Sequence, residues 1–221
     1  MTKVLFITNK TDLTTDFVVR EVQKKRVEFY RLNTEEIGSS VFITLDISND
    51  AYYLYDRLLG IKYDLKSFTS VYFRRPEVRK VEDEDLTDAE KQFIKIEYYQ
   101  TLESIYSVLA GAYWISPVQS IRSAENKVYQ QILAKNIGLK VPNGILTNDA
   151  GDFKSFWAGN AKACVVKSIR SGQVGIDETE KIVYTSILDD LPSKDRIEAS
   201  PTYMQRNIKK QYDIRVTAVG C

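Results

Sequence analysis

Residues 3–32, KVLFITNKTDLTTDFVVREVQKKRVEFYRL, decide how this chain is built. KVLFIT (3–8) is a short apolar run and reads as a buried strand. The polar residues Asn9, Thr11, Asp12 and Thr14 follow, then a helical stretch to about Lys25, then VEFYRL (27–32) as a second strand. Strand, helix and strand within about 30 residues make a βαβ unit and point to a parallel sheet. The first loop has no G-x-G-x-x-G, so the unit is not a dinucleotide fingerprint.

Outward from that unit, the β-rich segments 41–47, 51–56 and 59–64 precede SVYFR (70–74), which closes on Arg74-Arg75-Pro76. The acidic run 82–90 contains a capping-box pattern, Thr87 with Glu90, and acids favour a helix N-terminus. A helix is expected from about Asp88 to Ala110, with Ile94, Tyr98, Leu102, Ile105 and Leu109 on one face and Gly111 as its stop. Trp114-Ile115-Ser116-Pro117 reads as a turn or linker, which places a domain boundary between 1–115 and 116–221. Beyond it the pattern predicts a helix over 124–136 with Val128, Ile132 and Leu133 facing inward. A strand over 143–147, a short helix over 149–158 and a strand over 162–169 (KACVVKSI) follow. A polar loop over 170–179, a strand over 181–185, a helical segment near 186–191 and strands over 201–206 and 212–219 complete the chain.

Composition narrows the chemistry. With 31 basic and 30 acidic residues the net charge is +1, so no global field draws nucleic acid or an anionic membrane. The chain of 221 residues contains no histidine, which rules out a Ser-His-Asp triad, a Cys-His pair and His-ligated metal sites. Its two cysteines, Cys164 and Cys221, do not suggest a disulfide framework. The N-terminus is a strand and not a signal h-region, and the uncharged stretch Tyr106 to Ile121 is broken by Gly111 and Pro117. These features predict a soluble, cytoplasmic protein.

Several polar residues stand where polarity is costly. On a strand, Lys167 shares a face with Val165 and Ile169, and a lysine there needs a partner, a phosphate group or a carboxylate. Lys127 falls near a helix N-terminus, where a cation opposes the helix dipole unless an anion is near; a solvated surface lysine is the alternative. The glycines of Ser171-Gly172-Gln173-Val174-Gly175 would let backbone amides approach an anion, but the spacing matches neither a Walker A loop nor a kinase loop, and a plain polar loop is the reading. Over 212–219, Asp213, Arg215 and Thr217 would form one row, either a solvated face or the lining of a cleft. Arg74 and Arg75 would point to opposite faces, so at most one enters a given cleft.

Taken in order, VLFITNKTDLTTDFV with VEFYRLN, SVYFRRP, ENKVYQQILAKNIGLKVPNGILTN, ACVVKSI and PTYMQRNIKKQYDIRVTAVG resemble ATP-grasp ligases. The similarity is to the microviridin-type (graspetide) peptide maturases and, more distantly, to ribosomal-protein glutamate ligases. It implies an α/β fold, a pre-ATP-grasp domain followed by an incomplete ATP-grasp domain. Lys127 and Lys167 match the family's phosphate-binding lysines. Gln205, Arg206, Asn207 and Ile208 match the hinge that reads adenine through backbone groups, with Gln205 where relatives often carry glutamate. Asp213 would bind the nucleotide and Arg215 would act in catalysis, on the D-I-R strand. The implied cofactors are ATP and Mg2+, and the implied partner is a precursor peptide whose side-chain carboxylate is activated as an acylphosphate and joined to a hydroxyl or amine. The family's metal-binding residues lie on later strands, so no metal ligand is assigned, and the 221-residue chain alone is expected to be inactive. A non-catalytic nucleotide- or peptide-binding module of the same fold is the alternative. An unrelated two-domain α/β protein is the third reading, and the sequence leaves a homodimer open.

Overall fold

The computed structural model describes residues 2–170, 173–174 and 181–218. The chain divides into two compact units, Met1–Val118 and Gln119–Cys221.

The first unit is built around β1 (Lys3–Thr8), whose Leu5, Phe6, Ile7 and Thr8 are wholly buried. The helix α1 (Leu13–Lys24) starts at Asp12, whose side chain accepts from the Thr14 amide. It leads into β2 (Glu28–Asn33), parallel to β1 as the βαβ pattern requires. An antiparallel meander follows, β3 (Val41–Asp46), β4 (Ala51–Asp56) and β5 (Ile61–Asp64). Before it, Gly38 has φ +82°, and a Cβ there would lie 2.4 Å from the Tyr98 hydroxyl, so only glycine fits. β6 (Ser70–Phe73) pairs parallel with the other side of β1. The helix α2 (Asp88–Val108) opens with the expected Thr87–Glu90 capping box and buries Leu102 and Ile105 against Leu5, Ile7, Leu32 and Val71. Residues 113–117 depart from the expected linker, because β7 (Tyr113–Ile115) adds a fourth parallel strand and gives the order β2-β1-β6-β7. Trp114 pins it there: the ring packs on Phe73 and Tyr106, and its Nε1 donates to the Leu109 carbonyl at 2.9 Å.

Where a single later helix was expected, α3 (Val118–Glu125) begins at the last residue of the first unit and is followed by α4 (Lys127–Asn136). Asn126 makes the break: its Oδ1 accepts from the Val128 and Tyr129 amides, both at 3.0 Å, and so caps α4. The expected inward face of α4 is not buried; Ile132 and Leu133 are about half exposed. Next come β8 (Gly144–Thr147), α5 (Ala150–Gly159), β9 (Cys164–Lys167), the pair β10 (Gln173–Val174) and β11 (Lys181–Ile182), β12 (Ser186–Leu188), α6 (Lys194–Glu198) and β13 (Thr202–Arg206). An antiparallel sheet of order β12-β9-β13-β8 results, and Phe153, Ile197, Cys164 and Met204 form the core on one side of it.

Three expectations change here. Residues 186–188 are a strand and not a helix, because pairing with Val166, Val165 and Cys164 overrides their local preference. Residues 212–218 form no strand: they have no ladder partner among the described residues, and Tyr212, Ile214 and Val216 are largely exposed. The Asp213/Arg215 row therefore does not lie on a strand. Of the glycine-containing loop, Ser171, Gly172 and 175–180 lie outside the described residues, as do Val219 and Cys221. Cys164 is buried, and burial pushes its thiol above the ordinary value, so it packs as a small apolar group. No described helix is long and apolar enough to cross a membrane.

Candidate nucleotide site

β9 is an inner strand, and its alternation divides the sheet into two faces. Cys164 points into the core, while the register sets Lys167 opposite Tyr203 and Val165 opposite Gln205 on β13, so these four share the other face. Lys167 is partly buried and has no hydrogen-bond or ion-pair partner among the described residues. Its pKa is held below the ordinary lysine value, first by loss of water on burial and then by the positive charges of Lys127 and Lys210. A cation in that position is unfavourable until an anion joins it.

Lys127 is the first residue of α4, as Asn126 dictates. Its amide donates to the Ile169 carbonyl at 2.8 Å, and its ammonium donates to the Arg170 carbonyl. Arg170 is in turn paired with Glu125 at 2.5 Å. The helix start is thus laced to the end of the strand that carries Lys167, with a carbonyl as the partner of the Lys127 ammonium. Lys210 was not singled out from the sequence; its ammonium is paired with the Asp213 carboxylate at 2.7 and 2.9 Å. Lys127 and Lys210 therefore both act on Lys167, and Lys210 is itself paired with Asp213. A cleft of about 290 Å³ opens beside Lys167, with Ser168, Ile169, Tyr184 and Tyr203 among its walls.

The hinge residues sit at the far end of the same two strands. Gln205 is buried between β8 and β9 in both ladders. The Arg206 amide donates to the Asn143 carbonyl and the Asn207 amide to the Ala163 carbonyl, each at 2.8 Å. The Ile208 amide has no partner among the described residues, and the Ile208 side chain is about half exposed. From Cys164, beside the hinge, to Lys167 is about 10 Å along the strand. The residues expected from the sequence therefore fall into two groups: Lys127 and Lys167, with Asp213 tied to Lys210, and the hinge 205–208. Arg215 is exposed and has no partner among the described residues, so it is not brought to either group. No group of three His, Cys, Asp or Glu able to hold a metal is present among the described residues. Lys210 was detectable in principle, three residues before Asp213. The role of Tyr203 was not, because cross-strand register is not written in a single strand.

The family model of the MvdD pre-ATP grasp domain matches residues 3–122, more than half of the chain. Among solved structures, the macrocyclase MdnC of Microcystis aeruginosa MRC, bound with the precursor peptide MdnA, superposes with a TM-score of 0.79 at 18% identity. That match covers 94% of this chain and 69% of MdnC. A RiPP-associated ATP-grasp ligase of Chryseobacterium gregarium, in complex with ADP and a leader and core peptide, gives 0.78 at 24% identity, covering 96% of this chain and 64% of that one. The macrocyclase MdnB of Microcystis aeruginosa MRC gives 0.77 at 25% identity, covering 96% and 69%. The chain thus spans about two thirds of the length of the proteins it resembles. No curated protein matches it. These findings place it by sequence over its first unit and by fold over nearly all of its length: the chain belongs to the MvdD pre-ATP-grasp family and has the α/β fold of the ATP-grasp ligases it resembles.

Proposed function

We propose that the chain serves ATP-dependent ligation of a carboxylate to an amine or hydroxyl on a ribosomally made peptide, with residues up to about 115 as the pre-ATP-grasp domain and the ATP site in the remainder. The observation that carries the reading is Lys167: a partly buried ammonium on an inner strand, without a partner among the described residues, in a field made more positive by Lys127 and Lys210. Phosphate oxygens would relieve that cost. At the other end of β9 and β13, the Ile208 amide, without a partner among the described residues, offers the donor that an adenine ring nitrogen needs, with Gln205 and the paired amides of Arg206 and Asn207 fixing its position.

ATP supplies the phosphoryl group. The substrate carboxylate attacks the γ-phosphorus and ADP leaves; the acylphosphate is then attacked by the hydroxyl or amine, and phosphate leaves. Lys127 and Lys167 hold the phosphate oxygens and spread the charge that develops on them. Asp213 holds Lys210 beside them, and Arg215 is assigned to the same reaction on its resemblance alone. The described residues offer Mg2+ no ligand cluster.

Calorimetric titration with ADP and with adenosine tests the reading. ADP is expected to bind clearly more tightly, because the lysines read phosphate. Equal affinity for the two would remove the basis for the assignment.

A further inference from the structure

The second unit holds a larger cavity than the cleft beside Lys167. It measures about 510 Å³ and lies between α4 and β8, with Val128 and Ile132 on the helix side and Leu146 and Tyr203 on the sheet side. Mostly apolar pockets of this size take small-molecule ligands. Val128 follows Lys127, whose charge acts on Lys167. Asn143 also lines the cavity, and its carbonyl accepts from the Arg206 amide of the hinge at 2.8 Å. The cavity therefore spans the gap between the lysines and the hinge.

Tyr203 lines this cavity and the cleft beside Lys167 alike. In the ladders it lies opposite Lys167 on one side and Leu146 on the other. Its ring leans toward a different row. A Cβ on Gly144 would lie 3.1 Å from the Tyr203 hydroxyl and 3.2 Å from its Cε2, so the ring rests where residue 144 has no side chain. Gly144 is the partner of Gln205, two residues and about 7 Å along β13 toward the hinge. The phenol thus stands between the row of Lys167 and the hinge. Burial raises its pKa, so the hydroxyl is neutral and can both donate and accept. It has no hydrogen-bond partner among the described residues. The fully enclosed side-chain atoms without a partner there are Glu35 Oε2 and Gln131 Oε1, so the Tyr203 oxygen is open to the cavity.

We propose that this cavity receives the nucleoside part of the nucleotide and that Tyr203 is the residue that reads its sugar, the phenol bonding a ribose hydroxyl. The assignment rests on the nucleotide reading above and adds a specificity-determining side chain to it. Order along the sheet selects the sugar: Lys167 faces the phosphates, the Ile208 amide faces the base, and the phenol lies between them. A neutral donor and acceptor suits a hydroxyl, whereas the phosphate oxygens are served by the lysines. In apolar surroundings a polar group discriminates, because an analogue without the hydroxyl leaves it unpaired.

The test titrates the 221-residue chain with ADP and with 2′,3′-dideoxy-ADP by calorimetry. ADP is expected to bind at least about fivefold more tightly. In Tyr203→Phe the two nucleotides should bind alike, each near the affinity of the parent for the dideoxy compound. Thermal melts of the free proteins supply the control. The hydroxyl has no partner to lose, so Tyr203→Phe should melt at the same temperature as the parent or higher. The proposal is overturned if Tyr203→Phe keeps the preference for ADP, if the parent binds both nucleotides alike, or if Tyr203→Phe melts well below the parent, which would make the hydroxyl structural. ADP affinity separates the two readings. ADP binding without a sugar preference defeats this inference alone, and absent ADP binding defeats the nucleotide reading and this inference with it.

Discussion

Replacing Lys167 by methionine keeps the length of the side chain and removes its charge, and stability and binding should then move in opposite directions. In the free chain Lys167 is desolvated and repelled by Lys127 and Lys210, with no partner among the described residues to compensate. Removing the charge should raise stability by up to about 1 kcal/mol, since a partly exposed ammonium is screened by water. In the nucleotide complex the lost charge-assisted hydrogen bond should weaken ADP by about 1.5–3 kcal/mol, roughly tenfold to 150-fold in Kd. At ADP near 100 times the parent Kd, ligand linkage stabilises the parent by about 2.7 kcal/mol and a hundredfold weaker variant by only about 0.4 kcal/mol. Thermal melts of both proteins with and without ADP read all four states. A free Lys167→Met chain that melts well below the parent, with its ADP shift intact, would make Lys167 a structural residue and sink the argument. The pH dependence adds a second readout. The folded pKa of Lys167 is lowered from 10.5, so the unfolded chain binds the extra proton between the two values, and this residue's penalty fades as pH rises through the folded pKa. Bound phosphate favours the charged form, so ADP affinity should fall over the same alkaline range.

Asn126→Ala removes a cap that serves two amides and should cost about 1 kcal/mol, read by urea denaturation; because it also frees the start of α4, ADP affinity should drop with it. Asp12 is buried, which by itself raises its pKa, but hydrogen bonds from Thr15 and Arg74 and the charge of Arg74 outweigh that and hold its carboxyl below the usual range. Its contribution is therefore full above the ordinary value of 3.8 and lost as pH falls through the lower folded value. Asp12→Ala, which removes the α1 cap and leaves Arg74 unpaired, should cost about 2–3 kcal/mol at neutral pH and flatten that acid limb in pH-dependent melts.

What could be read from the chain alone follows the range of the interactions involved. β1, α1 and β2 were legible because an apolar run, a turn and a cap are local, and so was the Thr87–Glu90 box. Lys167 was legible as a charge on an apolar alternation, since period two needs no knowledge of the partner strand. β7 and β12 were not: each has three residues whose strand identity comes from distant neighbours, Ser70–Tyr72 for one and Cys164–Val166 for the other. The reverse holds for 212–218, where a clean alternation meets no partner among the described residues. The α3–α4 break depended on one asparagine side chain choosing the backbone, which helix periodicity does not register. Arg74 and Arg75 were seen as a pair with opposed directions; that Arg74 is used internally, while Arg75 has no partner among the described residues, became clear only with Asp12 in place.

The position of β1 in its sheet also has a consequence for synthesis. β1 leaves the ribosome before the other strands of its sheet yet ends at an inner position, and its second neighbour joins it across a separation of 66 residues, Lys3 to Thr69. β3, β4 and β5 are complete before that, each closing against its immediate successor. Until β6 arrives, Leu5, Phe6 and Ile7 present an open, apolar strand edge, the kind of segment that pairs with other chains. The rate at which residues 34–73 are made therefore sets how long each nascent molecule stays vulnerable to its neighbours. Slow translation of that stretch should increase insoluble product without altering the stability of the chains that finish.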